Sequence, residues 1–217
     1  MNAPELAVQD LSPLQHGSLR ERLREETNAV HQSLHRNAGL HQLISSQNSI
    51  NLYKNVLKVF YDFYSGVDDS FNFVAPPLRF AGEAKPMAWL AQDFSALAIN
   101  VDAPVKPMQS TLADLLPKRI EIYLGYLYVK QGSTLGGQAI SKHLKKSLNL
   151  MPGETQFFFH GFGECTGANW KEFLQFLERL EPELDGDLVV KAAQIYFQLL
   201  DAAFNQHFPL EGINGSK

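Results

Sequence analysis

The sequence predicts an all-α fold, a single domain of six to eight helices. Three observations carry that expectation. Apolar residues recur at spacings of three and four along several long stretches of the 217-residue chain, the period of a helix with one buried face. No stretch shows the period-two alternation of a half-buried strand. No 20–50-residue repeat and no low-complexity tract appears, so a solenoid or an extended linker is not indicated. With 45% hydrophobic residues, the chain can fill a substantial core.

The elements follow in order. Residues 1–17 read as a flexible N-terminal arm, 18–208 as the single domain, and 209–217 as a C-terminal tail. "SLRE" offers a capping box, with Ser18 at the N-cap and Glu21 three residues on. The helix it opens, about 19–36, sets Leu23, Thr27, Val30 and Leu34 on one stripe. A second helix, about 49–73, carries a wide aromatic face that includes Tyr53, Phe60, Phe63, Tyr64 and Phe71. "APP" at 75–77 stops it. A shorter helix starts at Pro86, a favoured first-turn residue. "NVDAPVKP" is a loop, and "STLADLL" is a brief turn or helix ended by Pro117. A long helix, about 118–148, contains Gly132, Gly136 and Gly137. "NLMPGE" is a turn, and "TQFFFHGFGECTGA" takes no clear assignment. Trp170, Phe173, Leu174, Leu177 and Leu180 mark another helix, ended near Pro182. The last helix runs over about 185–207.

Bulk properties narrow the function classes. A net charge of −4 argues against a nucleic-acid partner, which selects for basic excess. The single cysteine, Cys165, excludes an internal disulfide and a cysteine-based zinc site, and fits a reducing compartment. No secretory signal opens the chain, and no apolar run of 18 residues suits a membrane span. A soluble cytoplasmic protein is expected.

Two constellations carry chemistry. His31 falls at the boundary of the first helix's buried stripe, where an imidazole can point into a cleft; His35, one turn on, falls further toward solvent. Arg20 and Arg24 lie on nearly the same line as His31. A metal-bound ligand with acidic substituents would meet both kinds of group. A boundary histidine near arginines is equally an ordinary helical surface. No Glu-x-x-His pattern of a diiron bundle is present.

The second constellation is "QGSTLGGQ". Each glycine inside a helix costs roughly 0.5–1 kcal/mol relative to alanine. Gly132 and Gly136 share a face and Gly137 lies beside them. Missing side chains there serve either close helix packing or a flat ligand lying against the backbone. Ser133 and Thr134 can back-bond to the preceding turn and bend the helix.

Together, "LREETNAVHQ" (23–32) and "YVKQGSTLGGQ" (128–138) resemble the heme oxygenase family, in its bacterial, biliverdin-producing style. The first is similar to the family's proximal helix, with its Leu-x-x-x-Thr-x-x-x-His pattern. The second is similar to its glycine-rich distal helix. Trp170 and Phe173 give a weaker third match. The resemblance implies heme between a proximal helix and a kinked distal helix. His31 is then the axial iron ligand, and Arg24 and Tyr128 reach the propionates. Thr27 belongs to the proximal motif and the heme-binding set. Gly132 and Gly136 touch the opposite heme face, and Phe204 is a pocket wall. Gly132, Ser133 and Gly136 form the distal, catalytic side. Ser133 stands where animal members carry an aspartate that organises distal water.

The implied reaction opens heme, both cofactor and substrate, to biliverdin, with carbon monoxide and ferrous iron released. It consumes O2 and electrons from an external reductase or ferredoxin, since no nucleotide-binding motif is present. Some bacterial relatives pass bilin to a photoreceptor. A non-catalytic heme carrier or sensor with the same fold is the alternative, and a helical protein that binds no heme is a third. Lys142, Lys145 and Lys146 form either a solvated helix end or a docking patch for an acidic electron donor. Cys165 reads as a small core or loop residue. His160 and His207 read as structural, without recognisable partners.

Overall fold

The structure, a computed structural model, describes residues 17–67, 71, 74–75, 78–100 and 119–209. Most of the expected arm (1–16), the tail beyond 209 and the "STLADLL" segment lie outside the described residues. Eight α-helices occur among those described, with no named strand: α1 Leu19–Glu26, α2 Asn28–His35, α3 Ala38–Leu43, α4 Ile50–Val67, α5 Pro86–Ala96, α6 Ile120–Leu148, α7 Thr166–Leu180 and α8 Gly186–His207. None of these helices is long and apolar enough to cross a membrane.

The capping box forms as the sequence predicts. The Glu21 amide donates to Ser18 Oγ at 3.3 Å, and the Ser18 amide donates to Glu21 Oε2 at 3.0 Å. The single helix expected over 19–36 is instead divided at Thr27. Its hydroxyl donates to the Leu23 carbonyl at 2.6 Å, a back-bond of the kind that bends helices. The amides of Thr27 and His31 still reach back four residues, so the register of α1 continues into α2. Helix α3 went unrecognised in the sequence. It is capped by Asn37, whose side-chain oxygen accepts from the Gly39 amide at 2.9 Å.

The amphipathic faces assemble one core. Helix α4 buries Tyr53, Val56, Leu57, Phe60, Phe63, Tyr64 and Val67, and α8 buries Val189, Ala192, Ala193, Tyr196, Phe197, Leu200 and Phe204. Each large apolar side chain taken from water contributes about 1.5–3 kcal/mol. Helices α1, α2, α4 and α6 all pack on α8, which makes α8 the common floor of the domain.

Gly125 brings α6 close to that floor. A Cβ there would stand 2.5 Å from the Ala192 Cβ and 2.7 Å from both the Ala193 amide nitrogen and the Val189 carbonyl oxygen. Glycine is the residue that permits this approach.

The unassigned phenylalanine-rich segment is a turn. Gly161 and Gly163 have φ of +53° and +57°, the region open to glycine, and a short 3-10 turn, Gly163–Cys165, feeds α7. The turn is pinned by a buried carboxylate. Asp93 on α5 accepts from the Phe158 amide at 2.7 Å, the Phe157 amide at 3.2 Å and the Tyr53 hydroxyl at 2.9 Å. Burial pushes its carboxyl up to about 6, against the pull of those three donors.

Of the two alternatives for Cys165, the loop holds: it is exposed, at the end of the 3-10 turn Gly163–Cys165. His207 has a partner after all, with its Nε2 3.2 Å from Asp62 Oδ2.

Candidate functional site

A cavity of about 530 Å³ opens between α2 and α6, within the range of small-molecule sites. Its α2 side carries His31 and His35, with Arg24 and Thr27 just upstream. Its α6 side carries Tyr128, Gly132, Ser133, Gly136 and Gly137. Phe197 and Leu200 of α8 form part of the wall, with Phe60, Phe158 and Phe159. Two motifs about a hundred residues apart in sequence therefore face one space.

His31 is half-buried. Its ring meets Phe197 edge-on, with centroids 5.6 Å apart. Burial, with a smaller contribution from the neighbouring His35, lowers its pKa. A neutral imidazole is the form that ligates a metal. Its Nε2 lies 3.1 Å from His35 Nε2. His35 is exposed, as the helical spacing indicates, yet it also lines the cavity.

The three glycines divide in use. A Cβ on Gly136 would meet nothing within 4 Å, and one on Gly132 only the Trp170 ring at 3.8 Å. These two leave the cavity face of α6 bare. Gly137 differs: a Cβ there would lie 3.1 Å from the Phe159 carbonyl oxygen, so this glycine also serves packing. Close packing thus accounts for Gly137 and not for Gly132 or Gly136. The polar pair between them back-bonds as anticipated. Ser133 Oγ donates to the Lys130 carbonyl at 2.8 Å and Thr134 Oγ1 donates to the Gln131 carbonyl at 2.7 Å. Helix α6 nonetheless stays helical from Ile120 through Leu148.

Ser133 has a neighbour that sequence reasoning missed. The buried Tyr64 hydroxyl lies 3.2 Å from Ser133 Oγ. A hydroxyl has one proton and two lone pairs. Ser133 can give that proton to the Lys130 carbonyl or to Tyr64, and it lines the cavity.

One end of the cavity is polar. Arg24 is exposed, and its recorded ion pair is a 3.4 Å contact with Glu25, which leaves it able to turn to a ligand. Tyr128 and Thr27 both line this end. Burial raises the Tyr128 pKa, opposed by the neighbouring Thr27 hydroxyl and by the charge of Arg24. Trp170 stacks obliquely on Tyr128 at 5.7 Å. A smaller notch of about 130 Å³ adjoins this end, lined by Arg20, Arg24, Tyr128 and Trp170 among others. Guanidinium and phenol groups here suit carboxylates at the rim of a ligand.

Phe204 is a correction. It is fully buried and does not line the cavity. It packs edge-on behind Phe60 at 5.1 Å. The aromatic wall on α8 is Phe197, two turns earlier on the same face. Trp170 was visible only as a secondary motif.

The chain as a whole matches a known family. A family model described as Heme oxygenase matches residues 17–206. The chain belongs to the heme oxygenase family. The comparison with curated proteins gives no match, but solved heme oxygenases share the fold. That of Leptospira interrogans is 19% identical, with a TM-score of 0.70, covering 88% of this chain and 100% of its own. Heme oxygenase-1 of the cyanobacterium Synechocystis sp. PCC 6803, solved in complex with heme, is 18% identical, with a TM-score of 0.68, covering 88% of this chain and 92% of its own. The NO- and CO-bound enzyme of Neisseria meningitidis is 22% identical, with a TM-score of 0.67, covering 92% and 96%. This cavity fits a heme on its own features: a bare α6 face where a Cβ has open space, a half-buried imidazole on α2 and a cationic, phenolic end.

Proposed function

We propose that this chain is a heme-degrading monooxygenase. It binds heme in the α2–α6 cavity and opens the ring to biliverdin, releasing carbon monoxide and ferrous iron. O2 and electrons from a separate reductase or ferredoxin drive the reaction. The observation that carries this reading is the convergence of His31 with Gly132 and Gly136 on one cavity.

Each residue has a role in that reading. His31, packed edge-on against Phe197, would hold the iron through its neutral imidazole. Arg24 and Tyr128 would pair with the acidic groups of the ligand at the polar end of the cavity. Gly132 and Gly136 remove the side chains that would occupy the distal space. Ser133 would offer its hydroxyl to ordered water on that side. Bound heme supplies the redox-active iron and is itself the molecule consumed.

The test is hemin addition to the purified protein, followed by a reductant system under air. A Soret band that forms and decays into biliverdin absorption is the expected result. A stable ferrous or oxy spectrum without bilin indicates a carrier or sensor instead. His31→Ala is expected to abolish the wild-type histidine-ligated spectrum and turnover. Normal ligation and turnover in that variant would refute the axial assignment.

A further inference from the structure

His31 and His35 are one turn apart on α2, so their side chains project from the same face. Both line the cavity. Their rings meet at 84° with centroids 4.4 Å apart, and the two Nε2 atoms converge to 3.1 Å. In the ligand-free protein that contact is a shared proton, one ring donating to the other. The same spacing is also the bite of a chelate. Imidazole nitrogens bind a zinc-like ion at about 2.0–2.1 Å, and two of them 3.1 Å apart subtend roughly 100° at the ion, between octahedral and tetrahedral values.

We infer that the ligand-free cavity holds a two-histidine site, His31 and His35, for a borderline divalent transition ion. Imidazole donors select ferrous iron, cobalt, nickel or zinc over magnesium and calcium. Among the described residues no group of three or more histidines, cysteines or carboxylates could hold a metal. Water completes the coordination, and the ion exchanges readily. The site excludes heme, because His31 Nε2 has one lone pair and cannot serve iron in a porphyrin and a free ion together. This clause rests on the proposed reaction: ferrous iron freed in the cavity finds the His31–His35 pair as its first imidazole chelate on leaving.

The probe is Co2+ alone, added to the ligand-free protein and followed by calorimetry and visible absorption. One equivalent is expected to bind. His31→Ala and His35→Ala are each expected to weaken binding at least about tenfold, a loss of about 1.4 kcal/mol. Hemin-saturated protein takes up no Co2+ at this site. His35 is exposed, so its replacement is expected to leave the fold intact, and the circular dichroism spectrum and urea midpoint of His35→Ala are the control for that. Wild-type affinity in His35→Ala, or no binding to the wild type, overturns the site. Failure of hemin to bind, with the cobalt pattern intact, sinks the proposed function while supporting the metal site.

Discussion

At Gly125, in the first half of α6, an added Cβ would stand 2.5 Å from another side chain and 2.7 Å from two backbone atoms of α8. At Gly136, three turns later, it would meet nothing within 4 Å. The first glycine lets two helices close on each other. The second keeps them from filling the space between α6 and α2. One helix thus uses the same residue type for opposite ends, contact and vacancy. Gly137 stands between, with a Phe159 carbonyl at 3.1 Å. The lesson is that a glycine in a helix does not announce its purpose; the distance to the nearest neighbour does.

A graded set of substitutions tests that ordering. The largest effect belongs to Gly125→Ala. The methyl meets backbone that cannot rotate away, so α8 must shift, and overpacking of this kind costs about 3 kcal/mol or more. A urea midpoint close to wild type would show that the α6–α8 contact is slack.

Next comes Asp93, which pins the turn that Gly137 faces. Burial pushes its carboxyl up to about 6 in the folded protein, against an ordinary 3.8. Between those values the native state holds the proton more tightly than the unfolded chain. This group's contribution to stability therefore falls as pH rises through about 4 to 6 and is flat above. The shift corresponds to something on the order of 3 kcal/mol. Asp93→Asn should flatten the wild-type slope in that window, and parallel urea-midpoint curves for the two proteins would contradict it.

Gly137→Ala is smaller. Helix propensity gains about 0.5–1 kcal/mol, and the 3.1 Å contact outweighs it, for a net loss of about 1 kcal/mol. In the Asp93→Asn background the turn can yield, so a double-mutant cycle should show the penalty shrinking. Strict additivity would disconnect the two.

Gly136→Ala has the smallest effect on stability and the opposite sign. It is expected to stabilise the ligand-free protein by about 0.5–1 kcal/mol while weakening hemin binding in a Soret titration. Gly136→Leu extends the loss of binding without loss of fold. If either variant binds hemin like wild type, Gly136 does not face the ligand.

Much of this was legible before the fold was known. Local rules placed the capping box at Ser18, the long helices and the boundary position of His31. The joint occurrence of His31, Gly132 and Gly136 pointed to the family because each motif has a fixed spacing within one helix. What failed was depth along an element. Phe197 and Phe204 are seven residues apart on the same face of α8, and the family resemblance pointed to Phe204 as the pocket wall. Only the course of α2 and α4 across α8 makes one a cavity wall and the other core. Asp93 and Tyr64 were invisible for a related reason: their partners are Phe157, Phe158 and Ser133, far away in sequence.

The sequence by itself determined the all-α class, the faces of the helices and the residue types that suit heme, because these depend on a 3.6-residue period and on side-chain chemistry. The tertiary structure decided which glycines touch and which stand clear, which phenylalanine walls the cavity, and that His35 comes within 3.1 Å of His31 inside it. Those facts depend on distances between elements, which the packing of α1, α2, α4 and α6 on α8 sets and no local pattern encodes.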